Sequence, residues 1–182
     1  MPLVRIPEPL DHDEWIYELK LDGFRALAFI DAHQCRLVSG NGHTFKQWPY
    51  LNVELAHAIR CDSAVLDGEI VCFNQDGRSN FHKLLFRRDS PYFAAFDVLM
   101  LNGRDMRQLP LMERKARLKS IMPRVQSRIR YVDHIAGSGS EFNRAVCDRN
   151  LERVVAKWAL RHVSDRRGNE LVEDQESRLL AG

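Results

Sequence analysis

Apolar positions along this chain fall into short runs separated by turn-forming residues, a pattern that predicts many strands and few helices. Residues 14–19 read as a strand, and Asp22-Gly23 as a hairpin-type turn after it. Residues 24–30 are apolar at nearly every position, which predicts a strand covered on both faces. A third strand over 35–39 is closed by the turn Gly40-Asn41-Gly42. Pro49 opens a helix with Leu51, Leu55 and Ile59 on one face. A long strand over 64–73 is interrupted by Asp67-Gly68-Glu69, a polar loop fills 74–80, and another strand runs over 92–101 to Asn102-Gly103.

Residues 111–122 form an amphipathic pattern carrying Leu111, Leu118 and Met122, and Pro123 stops it. A strand is expected over 129–135. Ser138 with Glu141 has the spacing of a capping box opening a helix through Phe142 and Val146. A last short strand covers 153–158, and from 161 to 182 charge dominates without a defensible period. Strands outnumber helices and come as hairpins. The expected fold class is therefore α+β, with antiparallel sheets flanked by helices, rather than a doubly wound fold.

The 182 residues suffice for one sizeable core, and 45% hydrophobic with 29% charged content is that of a soluble globular chain. No apolar run reaches membrane-spanning length, and the N-terminus lacks the apolar segment of a secretory signal. The expected setting is cytoplasmic, with no membrane. Cys35, Cys61, Cys72 and Cys147 form no CxxC pair and no metal-ligand spacing with histidines, so they are expected to be reduced and mostly packed. Net charge is only +2, but most of the 27 basic residues are arginines. Arginine suits bidentate phosphate contacts, and the same excess also follows from a GC-rich genome.

Lys20 is the first candidate for chemistry. It sits in Glu18-Leu19-Lys20-Leu21-Asp22-Gly23-Phe24-Arg25, at a strand end beside Asp-Gly. Desolvation or a neighbouring cation turns a lysine into a nucleophile. The same residues also read as a plain hairpin turn with an edge-strand charge. In Asp67-Gly68-Glu69 two acids interrupt an apolar strand, which is costly unless they have partners. The glycine allows close approach to the backbone, and a carboxylate there is placed to accept from ribose hydroxyls or hold a divalent cation. A β-bulge with two exposed acids is the alternative. On its own strand Phe96 reads as core far more readily than as a stacking surface. Glu152 and Lys157, five apart, fall on opposite faces of an ideal strand.

Taken together and in order, these pieces resemble one family. Lys20-x-Asp22-Gly23-x-Arg25, Ser39-Gly40-Asn41-Gly42, Asp67-Gly68-Glu69, Phe96-Asp97-Val98-Leu99 and the stretch from Glu152 to Lys157 look like the nucleotidyltransferase domain of ATP-dependent DNA ligases. Gly77-Arg78-x-x-Phe81-x-x-Leu84 and Leu109-Pro110-Leu111-x-Glu113-Arg114 are similar to the bacterial end-joining type. The resemblance implies an ATP-grasp-like adenylation domain over 1–160 and a divergent tail over 161–182. It implies that Lys20 attacks the α-phosphate of ATP, carries AMP as a phosphoramide and passes it to a DNA 5′-phosphate in repair or recombination. In that scheme Glu18 reads the adenine amino group, and Arg25 contacts ribose or phosphates. Glu69 binds ribose, Phe96 stacks on adenine, Asp22, Gly23 and Lys157 complete the nucleotide site, and Glu152 with Glu69 holds Mg²⁺ or Mn²⁺. The implied substrate is nicked or broken double-stranded DNA.

The chain also departs from that pattern. Gly40 stands where the family usually has an arginine, and Arg153 where it usually has a glycine. No lysine follows Lys157, so the tryptophan-containing strand with two lysines is not recognisable. Neither is the OB-fold. The lead-in over 7–15 matches the usual one, so the start is expected to be complete. These departures predict slow or no self-adenylation and little unaided nick sealing. They also predict a DNA-repair protein that supplies the missing functions, or a homodimer through the uncovered sheet. A degenerate module that holds nucleotide or a repair partner without catalysis is the alternative from another class. An mRNA-capping reading shares the Lys-x-Asp-Gly logic with GTP, and the bacterial-type stretches argue against it.

Overall fold

In the computed structural model the described residues are 11–149, 151 and 153–163. Nine strands and four helices occur among them. In chain order they are β1 (His12–Leu19), β2 (Phe24–Asp31), β3 (Gln34–Ser39), α1 (Pro49–Ala58), β4 (Ser63–Val71), α2 (Phe81–Leu85), β5 (Tyr92–Leu101), β6 (Arg104–Asp105), α3 (Leu111–Ile121), β7 (Ile129–Tyr131), β8 (Ile135–Gly137), α4 (Gly139–Asp148) and β9 (Val154–Trp158). The class is α+β, as the alternation of short runs predicts.

The strands form two sheets. The larger has the order β3-β2-β4-β5-β6, with β7 also paired to β5, and the smaller has the order β8-β1-β9. One face of the larger sheet carries the main core. Ala26, Ala28, Ile30, Leu66, Ile70, Phe93, Ala95 and Val98 pack there with Trp48, Leu51 and Leu55 of the α1 region and Leu118 of α3. Pro at the start of α1 fits its first turn, where an N–H has no helical partner. The opposite face carries a smaller cluster of Val71, Ala94 and Val132, flanked by Leu21, Tyr92 and Phe96. It is this second face that positions the site.

Several sequence expectations change. Asp22-Gly23 is not a hairpin turn, because β1 and β2 lie in different sheets. The segment between them crosses from one sheet to the other. Gly23 is needed for contact rather than for a turn: a Cβ there would lie 2.1 Å from the Ile70 carbonyl oxygen of β4. The expected strand over 129–135 divides likewise. Its first part pairs parallel with β5 and its last part antiparallel with β1, so the larger sheet is mixed. Strand β2 is not covered on both faces, since Ala26, Ala28 and Ile30 are buried while Leu27 and Phe29 are half-buried. The Ser138 side chain makes no capping bond. Instead the Ser140 N–H donates to Asp11 Oδ1 at 2.7 Å. The short helix α2, capped by the Asn80 side chain accepting from the Lys83 N–H, has too few residues to show a period.

Candidate active site

The chain crosses between the two sheets after β1 and again after β7. Between the crossings lies a cleft of about 400 Å³, lined by Glu18, Lys20, Arg25, Asp67, Glu69, Phe96, Lys157 and residues 161–163, among others. Six of the eight residues that the sequence assigned to nucleotide binding therefore meet in one cavity. Asp22 and Gly23 do not line it. Asp22 is exposed, and its N–H donates to Ser79 Oγ at 3.2 Å. Glu152 lies outside the described residues.

Lys20 follows the last residue of β1. Its N–H donates to the Arg153 carbonyl at 2.7 Å, which ties the backbone at the strand end. Among the described residues no hydrogen bond or ion pair engages its ammonium. Glu69 lies near enough for Lys20 and Arg25 to pull its pKa down, but burial dominates and raises it from 4.5 to about 7.

Glu18 is buried, at 2% exposure. Its Oε2 accepts from Lys157 Nζ at 2.5 Å, and its Oε1 accepts from Lys115 Nζ. Strand pairing explains the first contact. Glu18 opposes Val155 and Ile16 opposes Lys157, so Glu18 and Lys157 are diagonal neighbours on one face. Lys115 comes from α3 and also donates to the Val132 carbonyl at 3.0 Å and the Phe96 carbonyl at 3.4 Å. Burial pulls its pKa below the ordinary lysine value, while Glu18 pushes it back up.

Phe96 faces the cleft rather than the main core. Lys157 Nζ lies 4.4 Å from its ring centroid and Arg25 Cζ 5.6 Å. Arg25 in turn grips Asp67 with both arms of its guanidinium, at 3.1 and 2.6 Å. The sequence offered a bulge with two exposed acids as one reading of Asp67-Gly68-Glu69. The bulge is present, as a register shift between Asp67 and Gly68 against β5, but Asp67 is only 7% exposed. Gly68 fits its expected role: a Cβ there would lie 2.6 Å from the Phe93 ring and 2.7 Å from the Ala94 carbonyl oxygen.

Sequence reasoning missed Lys115 and Arg114. Arg114 is 2% exposed and bonds Asp97 through Nε and Nη2, both at 2.8 Å, which fastens α3 to β5. The signal was there. Leu111, Lys115 and Leu118 share one helical stripe, and a cation on a buried stripe needs a carboxylate partner.

The cavity thus joins an aromatic face, a buried carboxylate, several cations and a lysine amine without a partner among the described residues, a set suited to holding a purine and an attached phosphate chain. Residues 4–171 match the family model described as ATP dependent DNA ligase domain. The multifunctional non-homologous end joining protein LigD of Pseudomonas aeruginosa is 30% identical over 178 residues, which is 94% of this chain and 21% of that protein. The SPbeta prophage-derived DNA ligase-like protein LigB of Bacillus subtilis is 28% identical over 166 residues, 87% of this chain and 60% of that one. Among solved structures, a mycobacterial DNA ligase D complexed with ATP and MES superposes with a TM-score of 0.73 at 26% identity, covering 86% of this chain and 52% of that chain. The chain thus spans about a fifth of the LigD protein and about half of the ligase D structure. It belongs to the ATP-dependent DNA ligase family and has the fold of that family's adenylation domain.

Proposed function

We propose that this chain is a lysine adenylyltransferase that activates DNA ends for joining. The observation that carries the reading is the position of Lys20: an amine with no partner among the described residues, lining the same cleft as Phe96, Glu18, Arg25 and Glu69. In the proposed step the Lys20 amine attacks the α-phosphorus of ATP. A P–N bond forms, the bond to the β-phosphate oxygen breaks, pyrophosphate leaves and the amine proton passes to solvent. A DNA 5′-phosphate oxygen then attacks the same phosphorus, the P–N bond breaks and the lysine is regenerated.

The residues have separable tasks. Phe96 stacks on the base and Glu18 accepts from its amino group. Arg25 and Lys157 provide positive charge for the phosphates, and Asp67 fixes Arg25. Glu69 contacts the ribose. Among the described residues no group of three or more metal-ligating side chains occurs. Mg²⁺ is usually held by one or two carboxylates and the triphosphate itself. Glu69, with Glu152, would hold it, and the ion would neutralise the developing phosphate charge. We extend the proposal to an adenylation unit over 1–160, to nicked or broken duplex DNA as acceptor and to a cytoplasmic setting. A repair protein or a second copy of the chain would supply further DNA contacts.

One observation favours a second reading, a module that binds nucleotide without transfer: Glu18 is already engaged by two lysines. Incubation with α-labelled ATP and Mg²⁺ separates the two. Label that survives denaturation and disappears in Lys20→Ala supports transfer. Measurable ATP affinity without label supports the binding module. Label from GTP but not ATP contradicts both.

A further inference from the structure

An ammonium group has three donors, and those of Lys115 are all used inside the protein. They reach Glu18 Oε1 on β1, the Phe96 carbonyl on β5 and the Val132 carbonyl after β7. Its side chain is only 1% exposed, and the Arg114–Asp97 pair beside it locks the helix from which it projects. Lys115 therefore joins the strand bearing the buried carboxylate to the strand bearing the cleft's aromatic ring.

Lys157 is different. Its side chain is 17% exposed, it holds the other carboxylate oxygen, and its ammonium sits over the Phe96 ring at 4.4 Å. A base that stacks on that ring needs the same space. Such a base exchanges with Lys157, inherits Glu18 Oε2 and leaves Oε1 on Lys115. A deprotonated carboxylate oxygen only accepts hydrogen bonds, so it matches a base with an amino group at that edge and opposes one with a carbonyl.

We propose that Lys115 is the positioning residue for base selectivity: by holding Glu18 Oε1 it leaves one fixed acceptor facing the cleft, which selects a 6-aminopurine nucleotide over a 6-oxopurine nucleotide. The inference rests on the nucleotide site proposed above and names a residue that never touches the base.

The test uses equilibrium binding of ATP and inosine triphosphate, which differ at position 6 and N1 of the purine. The parent chain is expected to prefer ATP by about tenfold or more, the scale of one charge-assisted hydrogen bond. Lys115→Met, which keeps the volume but not the donors, leaves Glu18 an acceptor but no longer fixed, and is expected to weaken that preference. Glu18→Gln offers the sharper result. Lys115 demands an acceptor, so it takes the amide oxygen and turns the amide N–H₂ into the cleft. The preference should then reverse toward inosine triphosphate. The Gln variant retains the shape of the carboxylate, so it reads the proposal even if Lys115→Met fails to fold. An unchanged ATP preference in Glu18→Gln, or equal weakening for both nucleotides, overturns it. If the folded parent binds neither nucleotide, the proposed nucleotide site itself fails.

Discussion

Asp67 and Asp97 stand directly opposite each other on β4 and β5, both less than a tenth exposed, and each is gripped by its own arginine. Two like charges in register oppose sheet pairing. Arg25 from β2 answers one and Arg114 from α3 the other. The cleft wall and the attachment of the helix behind it therefore share one electrostatic arrangement.

The two pairs should respond unequally to mutation. Arg114→Met strands a buried carboxylate and should cost about 3–5 kcal/mol in urea unfolding. Asp97→Asn combined with Arg114→Met should cost clearly less. Asp67 is as buried as Asp97, but Arg25 is itself half exposed, with 48% of its side chain accessible, so Arg25→Met should cost less than Arg114→Met, about 1–3 kcal/mol. Equal losses at Arg25 and Arg114 would contradict this division.

Glycine substitutions should also rank by contact. Gly23→Ala places a methyl 2.1 Å from a backbone oxygen, with no flexible group to yield, and Gly68→Ala meets both a ring and a carbonyl. Both should destabilise by about 1–3 kcal/mol or more, with Gly23→Ala the worse. Nothing lies within 4 Å of a Cβ at Gly40, and its φ is not positive. Gly40→Arg should therefore fold normally. If the missing arginine is a phosphate contact, it should tighten binding of a nicked duplex at low salt and lose that gain at high salt. Fluorescence anisotropy at two salt concentrations checks both parts.

Glu69 gives a pH-dependent prediction. Its pKa rises from 4.5 to about 7 on folding because burial outweighs Arg25 and Lys20. Between these values the folded chain holds a proton that the unfolded chain has released. Stability from this group is thus present at low pH, falls as pH rises through that window and levels off above about 7. Glu69→Gln removes the titration. The melting temperature of the variant relative to the parent should therefore climb from pH 5 to pH 7.5, and a difference independent of pH would contradict the assignment.

The sequence reveals the strands well where apolar runs are bounded by turn residues. Residues 92–101 are a strand to the residue, and Leu51 and Leu55 mark the buried face of α1. It fails where partner choice is non-local. Nothing within residues 20–23 or 129–135 says that the chain is changing sheets, because pairing depends on strands far along the chain. The site shows the same division. Lys20, Glu69 and Phe96 are legible from an ordered set of motifs. The engagement of Glu18 by Lys115 is not, since it links β1 to α3 across 97 residues of chain.

The most direct test of the central claim is mass spectrometry of the folded chain after incubation with ATP and Mg²⁺, followed by peptide mapping. The account predicts a gain of one adenylyl group, carried by Lys20 and released by pyrophosphate. An adduct on another residue, or one that persists in Lys20→Ala, would contradict it.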